Sequence, residues 1–184
     1  MTQLVKRQHI LEEEANHDAL TGLPNRRVLY DRLSQAVMRS NRSGKLLAVC
    51  YLDLDGFKQI NDSLGHDAGD DVLRLISGRM SKALRGEDTV VRLGGDEFVL
   101  LLGNLDNDVY AEQLLNRLLQ DIAQPILLHG VPTGVTVSIG VALYPRTQGT
   151  SEQLLKHADE AMLAAKRAGK SRYHFVPITD IYVT

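Results

Sequence analysis

Between Leu46 and Leu54 the chain is apolar almost without interruption, reading Leu-Leu-Ala-Val-Cys-Tyr-Leu-Asp-Leu, and it does not alternate with polar residues. A strand with one wet face alternates, whereas a strand covered on both faces reads as a continuous apolar run. The run therefore predicts a central strand with helices above and below it, and restricts the chain to layered α/β architectures. Its C-terminal end delivers Asp53 and Asp55, while Asp96 and Glu97 directly follow a Gly94-Gly95 turn. Carboxylates at strand ends, with few local cations, are what a divalent metal needs to hold a polyphosphate. Desolvating them costs on the order of several kcal/mol unless something positive binds.

The flanking segments support a single layered domain. Residues 1–17 are polar, with Glu12-Glu13-Glu14 and sparse apolar spacing from Leu4 to Leu11, and read as a helical connector. Turn and capping chemistry at Thr21–Asn25 precedes a helix with Leu29, Leu33, Ala36 and Val37 on its apolar face. Val72, Leu75, Ile76, Arg79 and Ala83 predict a helix over 66–85. Runs 89–93 and 98–102 form a hairpin around Gly94-Gly95, where positive φ is needed. Ala111, Leu115, Leu118 and Ile122 mark a helix capped at Asn107 or Asp108 and closed by Pro125. Short β-like runs follow at 126–132, an inner strand at 135–144, a helix through Leu154, Ala158, Ala161, Met162 and Ala165, and an edge strand at Tyr173–Phe175. The order strand, two helices, hairpin, helix, strand, helix, strand predicts helices packed on a mainly antiparallel sheet.

With 184 residues and 43% hydrophobic content, one compact domain is expected. A net charge of −2 gives no global pull toward DNA or anionic lipid, so phosphate binding must rest on local cations. Cys50, the single cysteine, lies in the apolar run and can form no internal disulfide, which fits a reducing, cytoplasmic compartment. No stretch approaches the roughly 20 apolar residues that span a bilayer. Asn41-Arg42-Ser43 and Asn61-Asp62-Ser63 match glycosylation tripeptides but matter only after secretion.

The string Arg92-Leu93-Gly94-Gly95-Asp96-Glu97-Phe98 contains an intact GGDEF signature. Further segments match at family-like spacing: Asp18 to Arg27, Asp53 to Asp62, Gly65 to Asp70, and Ala158-Asp159 through Lys166 to Lys170. The chain resembles the GGDEF family of diguanylate cyclases over residues 18–175, with 1–17 as a connector from an upstream sensor and 176–184 as a tail. The resemblance implies a palm-like fold shared with nucleotide cyclases and polymerases. It also implies condensation of two GTP into cyclic di-GMP with loss of two pyrophosphates, in a homodimer holding one GTP per subunit.

The same resemblance implies roles residue by residue. Asp53, Leu54 and Asp96 would hold Mg²⁺ or Mn²⁺, two ions per site, since Mg²⁺ takes one or two carboxylates and completes its shell with phosphate and water. Glu97 is the second catalytic acid beside Asp96. Asn61 and Asp70 match the guanine-reading pair, able to accept from N1–H and the exocyclic amine, which adenine does not offer in that arrangement. Phe57, Lys58, Gly94, Gly95, Lys166 and Lys170 complete the substrate set, with Lys166 and Lys170 spaced i,i+4 so that their ammonium groups could point the same way. Lys170 stands where the family more often has arginine, and Leu163 where it often has tyrosine. Arg85 and Asp88 match the family's product-inhibition pair, and Asp18 with Arg92 is expected to tie the N-terminal segment to the hairpin. Ala168-Gly169-Lys170-Ser171 is not a P-loop, because Ala164 stands where the first glycine is required. His66, without a second ligand at metal spacing, is read as structural. The alternative function is a non-catalytic GTP- or cyclic-di-GMP-binding module regulating an attached partner; a bare dimerisation domain would leave the acids unexplained.

Overall fold

A computed structural model of the chain describes residues 2–178. The elements are α1 (Gln3–Asn16), α2 (Arg26–Ser43), β1 (Leu46–Asp55), α3 (Phe57–Leu64), α4 (His66–Ala83), β2 (Thr89–Gly94), β3 (Glu97–Leu105), α5 (Val109–Ile122), β4 (Ile126–Leu128), β5 (Val131–Thr133), β6 (Thr136–Tyr144), α6 (Ser151–Arg167) and β7 (Arg172–Phe175). The main sheet has five strands in the order β2-β3-β1-β6-β7, and β4-β5 form a separate two-stranded hairpin. All pairings in the main sheet are antiparallel except β6 with β7. The expected α/β class, helices flanking a mainly antiparallel sheet, is the one observed.

β1 lies in the middle of the sheet, which accounts for its unbroken apolar run. Ala48, Cys50, Leu52 and Leu54 face a core built with α3, α4 and α5, while Leu47 and Val49 face a second core built with α2 and α6. Burial raises the Cys50 thiol pKa, with the Asp88 charge adding to it, so the thiol stays protonated. One expected core position differs. Leu75 is exposed and Leu73 takes the inward place on α4. Arg79, also expected on the apolar stripe, instead donates to the carbonyls of Ile122 and Gln124 at the end of α5.

α6 packs closely on β6. A methyl group at Gly140 would overlap the Ala158 carbonyl and the Met162 amide, so α6 lies directly on the strand at this point. Thr150 and Gln153 form a capping box that fixes the start of α6. Asn107 accepts from the Val109 amide at 3.0 Å and caps α5. No helix among the described residues is long and apolar enough to cross a membrane. Of the expected C-terminal tail, residues 179–184 lie outside the described residues.

Candidate active site

The acids meet because β1 and β3 are paired in a register that sets Asp53 opposite Glu97. The Leu54 amide donates to the Asp96 carbonyl at 3.2 Å, so the end of β1 is tied to the Gly94-Gly95 turn. Both turn glycines have positive φ, 141° and 50°, conformations that favour glycine. Arg92 pins the turn from behind: its Nε and Nη2 donate to the Gly95 carbonyl at 3.1 and 2.8 Å. The same guanidinium donates through Nη1 to both Asp18 oxygens at 2.9 Å. The expected Asp18–Arg92 tie is thus present. Burial alone would raise the Asp18 pKa, but bonds from Thr21 and Arg92 outweigh it and hold it below the usual value.

Asp53 is pushed the other way. Partial burial raises its pKa, Asp96 and Glu97 add to the rise, and Lys166 only partly offsets them. No group of three or more His, Cys, Asp or Glu side chains forms a metal cage among the described residues.

Asp55 does not belong to this open cluster. It accepts from the Thr136 hydroxyl at 2.8 Å, the Ser138 hydroxyl at 2.8 Å and the Ser171 amide at 3.2 Å, and Lys166 lies 3.2 Å away. Burial opposes its ionisation, but these donors outweigh burial and lower its pKa. The scarcity of local cations expected from the sequence is corrected by Lys166, whose Nζ also lies 2.9 Å from Asp53. Lys170 is not on the same helical face. α6 ends at Arg167, and Lys170 and Ser171 follow in a turn with φ of 63° and 48°. The i,i+4 geometry expected for the two lysines is therefore absent.

β1 leads through Gly56, left-handed at φ 84°, into α3. Lys58 is exposed in the first turn of α3, and Phe57 packs into the core. Asn61 lies against Gly69 of α4, where a methyl group would overlap Asn61 Oδ1, and Asp70 is the next residue. Asn61 Oδ1 is buried without a hydrogen-bond partner. A buried acceptor left unsatisfied is costly, so it marks a place where a donor is missing.

Sequence reading did not anticipate Ser138, Thr136, Gly69 or Tyr51. Ser138 carries a visible signal, a hydroxyl within an otherwise apolar strand, and it is fully buried. Tyr51 sits two residues before Asp53. Burial raises its pKa, with Glu97 and Asp159 nearby adding to the rise.

Arg85 and Asp88 lie in the connection between α4 and β2, at the opposite end of β2 from the Gly94-Gly95 turn. The Asp88 side chain is fully buried and accepts from the Arg85 amide at 3.0 Å. Burial raises its pKa against the pull of Arg85. The Arg85 guanidinium stacks 3.6 Å over the centre of the Tyr110 ring. Arg85, Asp88 and Arg32 line a cleft of about 430 Å³, and Arg32 also lines a cleft of about 500 Å³ with Arg39, Arg42 and Glu87. Neither cleft is lined by Asp53, Asp96 or Glu97.

Residues 15–172 match the family described as "Diguanylate cyclase, GGDEF domain". The chain belongs to the GGDEF family of diguanylate cyclases. Diguanylate cyclase TpbB of Pseudomonas aeruginosa is 42% identical over 171 residues, covering 92% of this chain and 39% of that protein. Cyclic di-GMP phosphodiesterase NbdA of the same organism is 42% identical over 175 residues, covering 95% of this chain and 22% of NbdA. The chain thus spans well under half the length of these relatives. The solved GGDEF domain of TpbB superposes with a TM-score of 0.83 at 41% identity, covering 88% of this chain and 95% of that one.

Proposed function

We propose that this chain condenses two GTP molecules into cyclic di-GMP, releasing two pyrophosphates, in a homodimer whose subunits each hold one GTP. The observation that carries the reading is the pairing of β1 with β3 that sets Asp53 opposite Glu97, beside the Gly94-Gly95 turn. Asn61, on the helix that follows β1, supplies a side-chain acceptor for guanine close along the chain to this carboxylate cluster, which suits a metal-bound triphosphate. Asn61 and Asp70 accept from the guanine N1–H and amine, giving preference for GTP over ATP. Phe57 backs the base pocket, and Lys58, Lys166 and Lys170 neutralise phosphate charge beside the Gly94-Gly95 turn. Mg²⁺ or Mn²⁺, held by Asp53, Asp96 and the Leu54 carbonyl, would stabilise charge on the phosphate and on the attacking and leaving oxygens. Glu97 accepts the proton of the 3′-hydroxyl as that oxygen bonds to the partner's α-phosphorus and pyrophosphate departs. Each subunit's hydroxyl attacks the other's nucleotide, so a lone subunit cannot close the ring.

Product inhibition is assigned to Arg85 and Asp88, with the guanidinium fork suited to phosphate and to a guanine edge. An upstream sensor would act through the Asp18–Arg92–Gly95 tie, which reaches the turn directly. Calorimetric titration with non-hydrolysable GTP and ATP analogues tests the specificity claim. Binding of the GTP analogue alone, weakened about tenfold or more in Asn61→Ala, is expected. Equal affinity for both analogues would overturn it.

A second reading has one observation in its favour, the similarity to NbdA, named as a phosphodiesterase. Here the domain would bind GTP or cyclic di-GMP and regulate an attached activity without turnover. Nucleotide binding with no product, even in an enforced dimer, would support it.

A further inference from the structure

We propose that Lys166 is the resident counter-ion of Asp53, held ready by Asp55, and that a metal ion entering the site displaces it onto the substrate phosphates. Asp55 is thereby a positioning residue. The inference rests on the metal-nucleotide reading above and concerns how that site is kept intact before substrate arrives.

The two aspartates that Lys166 bridges are not equivalent. Its Nζ lies 2.9 Å from Asp53 Oδ1 and 3.2 Å from Asp55 Oδ1. The Asp53 side chain retains 19% of its exposure and the Asp55 side chain 5%. Asp55 is already bound by the Thr136 and Ser138 hydroxyls and the Ser171 amide, so its place is set by β6 and by the turn after α6. Among the described residues, Asp53 has only Lys166 as a close cation. A divalent ion on Asp53 and an ammonium on the same oxygen repel strongly at such separations, so one must leave. Lysine has three rotatable donors on a flexible stem, which lets it release Asp53 while keeping Asp55.

Asp55 has a second hold on the phosphate side. By accepting from the Ser171 amide it anchors the turn in which Lys170 and Ser171 adopt positive φ, a conformation that non-glycine residues rarely take without support. One buried carboxylate thus sets both lysines assigned to the triphosphate. Lys166 approaches it because α6 rests directly on Gly140 of β6, the strand that also carries Thr136 and Ser138.

The test is Mn²⁺ binding without nucleotide, followed by the spin-resonance signal of the free ion, in the native chain and in Lys166→Met, Asp55→Asn and Asp53→Ala. Lys166→Met should bind Mn²⁺ about fivefold tighter, and Asp53→Ala should lose binding. Unchanged or weaker binding in Lys166→Met, with the native chain binding through Asp53, would overturn the inference alone. No Mn²⁺ binding by the native chain, even with a GTP analogue present, would overturn the metal reading and this inference with it. Asp55→Asn, checked for folding by circular dichroism, should bind the GTP analogue more weakly than the native chain, and by no more than Lys166→Met and Lys170→Met combined. Native-like nucleotide affinity in folded Asp55→Asn would remove Asp55 from the positioning role.

Discussion

Asp18 is tied through Arg92, 74 residues further along the chain, to the Gly94-Gly95 turn. Its pKa is lowered in the folded chain from 3.8, so its stabilising contribution is present above that value and is lost as pH falls through the folded pKa. Asp18→Asn should lower stability by about 2 kcal/mol at neutral pH, the scale of a hydrogen bond to a charged group. Melting curves of the two proteins should differ by a steady gap from pH 7 down to about 3.8 and converge below it; a gap that persists unchanged well below pH 3.8 would show that the ionised carboxylate is not the cause. Gly69→Ala tests the base pocket. The added methyl meets the end of the Asn61 side chain, which can swing away, so the fold should survive while affinity for a GTP analogue falls about tenfold. Asp18 was singled out from the sequence, whereas the part played by Gly69 appears only in its contact with Asn61. The meeting of Asp53 with the Asp96-Glu97 turn could be expected because their motifs are local, and the pairing of β1 with β3 brings them together. The role of Asp55 could not, since Thr136 and Ser138 lie 81 and 83 residues away in the chain.

Among the elements, β1 and α6 carry the most weight. The continuous apolar character of residues 46–54 predicted a strand covered on both faces, and β1 is that strand because two helical layers cover it. Helical periodicity likewise placed α2, α5 and α6 correctly on their buried faces. It misplaced Leu75, because α4 rotates to pack Leu73 and Met80 inward. It also carried α6 through to Lys170, because i,i+4 spacing alone does not reveal where a helix stops. Gly140 was visible as a glycine within a strand, but its partner helix was not. Gly140→Ala should push α6 off β6 and cost about 3 kcal/mol, within the range for overpacked contacts. Urea denaturation should show a lower midpoint with an unchanged slope. A neutral substitution would mean that α6 can shift without strain.

At the scale of the whole molecule, the acid edge, the Asn61 segment and the Arg85–Asp88 edge are separate parts of one layered domain. If each GTP is attacked by its neighbour's, the initial rate should rise more steeply than linearly with protein concentration until dimers saturate, and strict proportionality from the lowest concentrations would contradict the shared site. Arg85→Ala should relieve inhibition at high product, seen as progress curves that stay straight for longer. The central claim is tested most directly by chromatography of the products formed from GTP and Mg²⁺ by the native chain at high concentration, beside Asp96→Ala and an ATP control. Cyclic di-GMP and pyrophosphate from GTP alone, absent with Asp96→Ala, is the predicted result. No product from an artificially dimerised native chain, or equal product from Asp96→Ala, would contradict it.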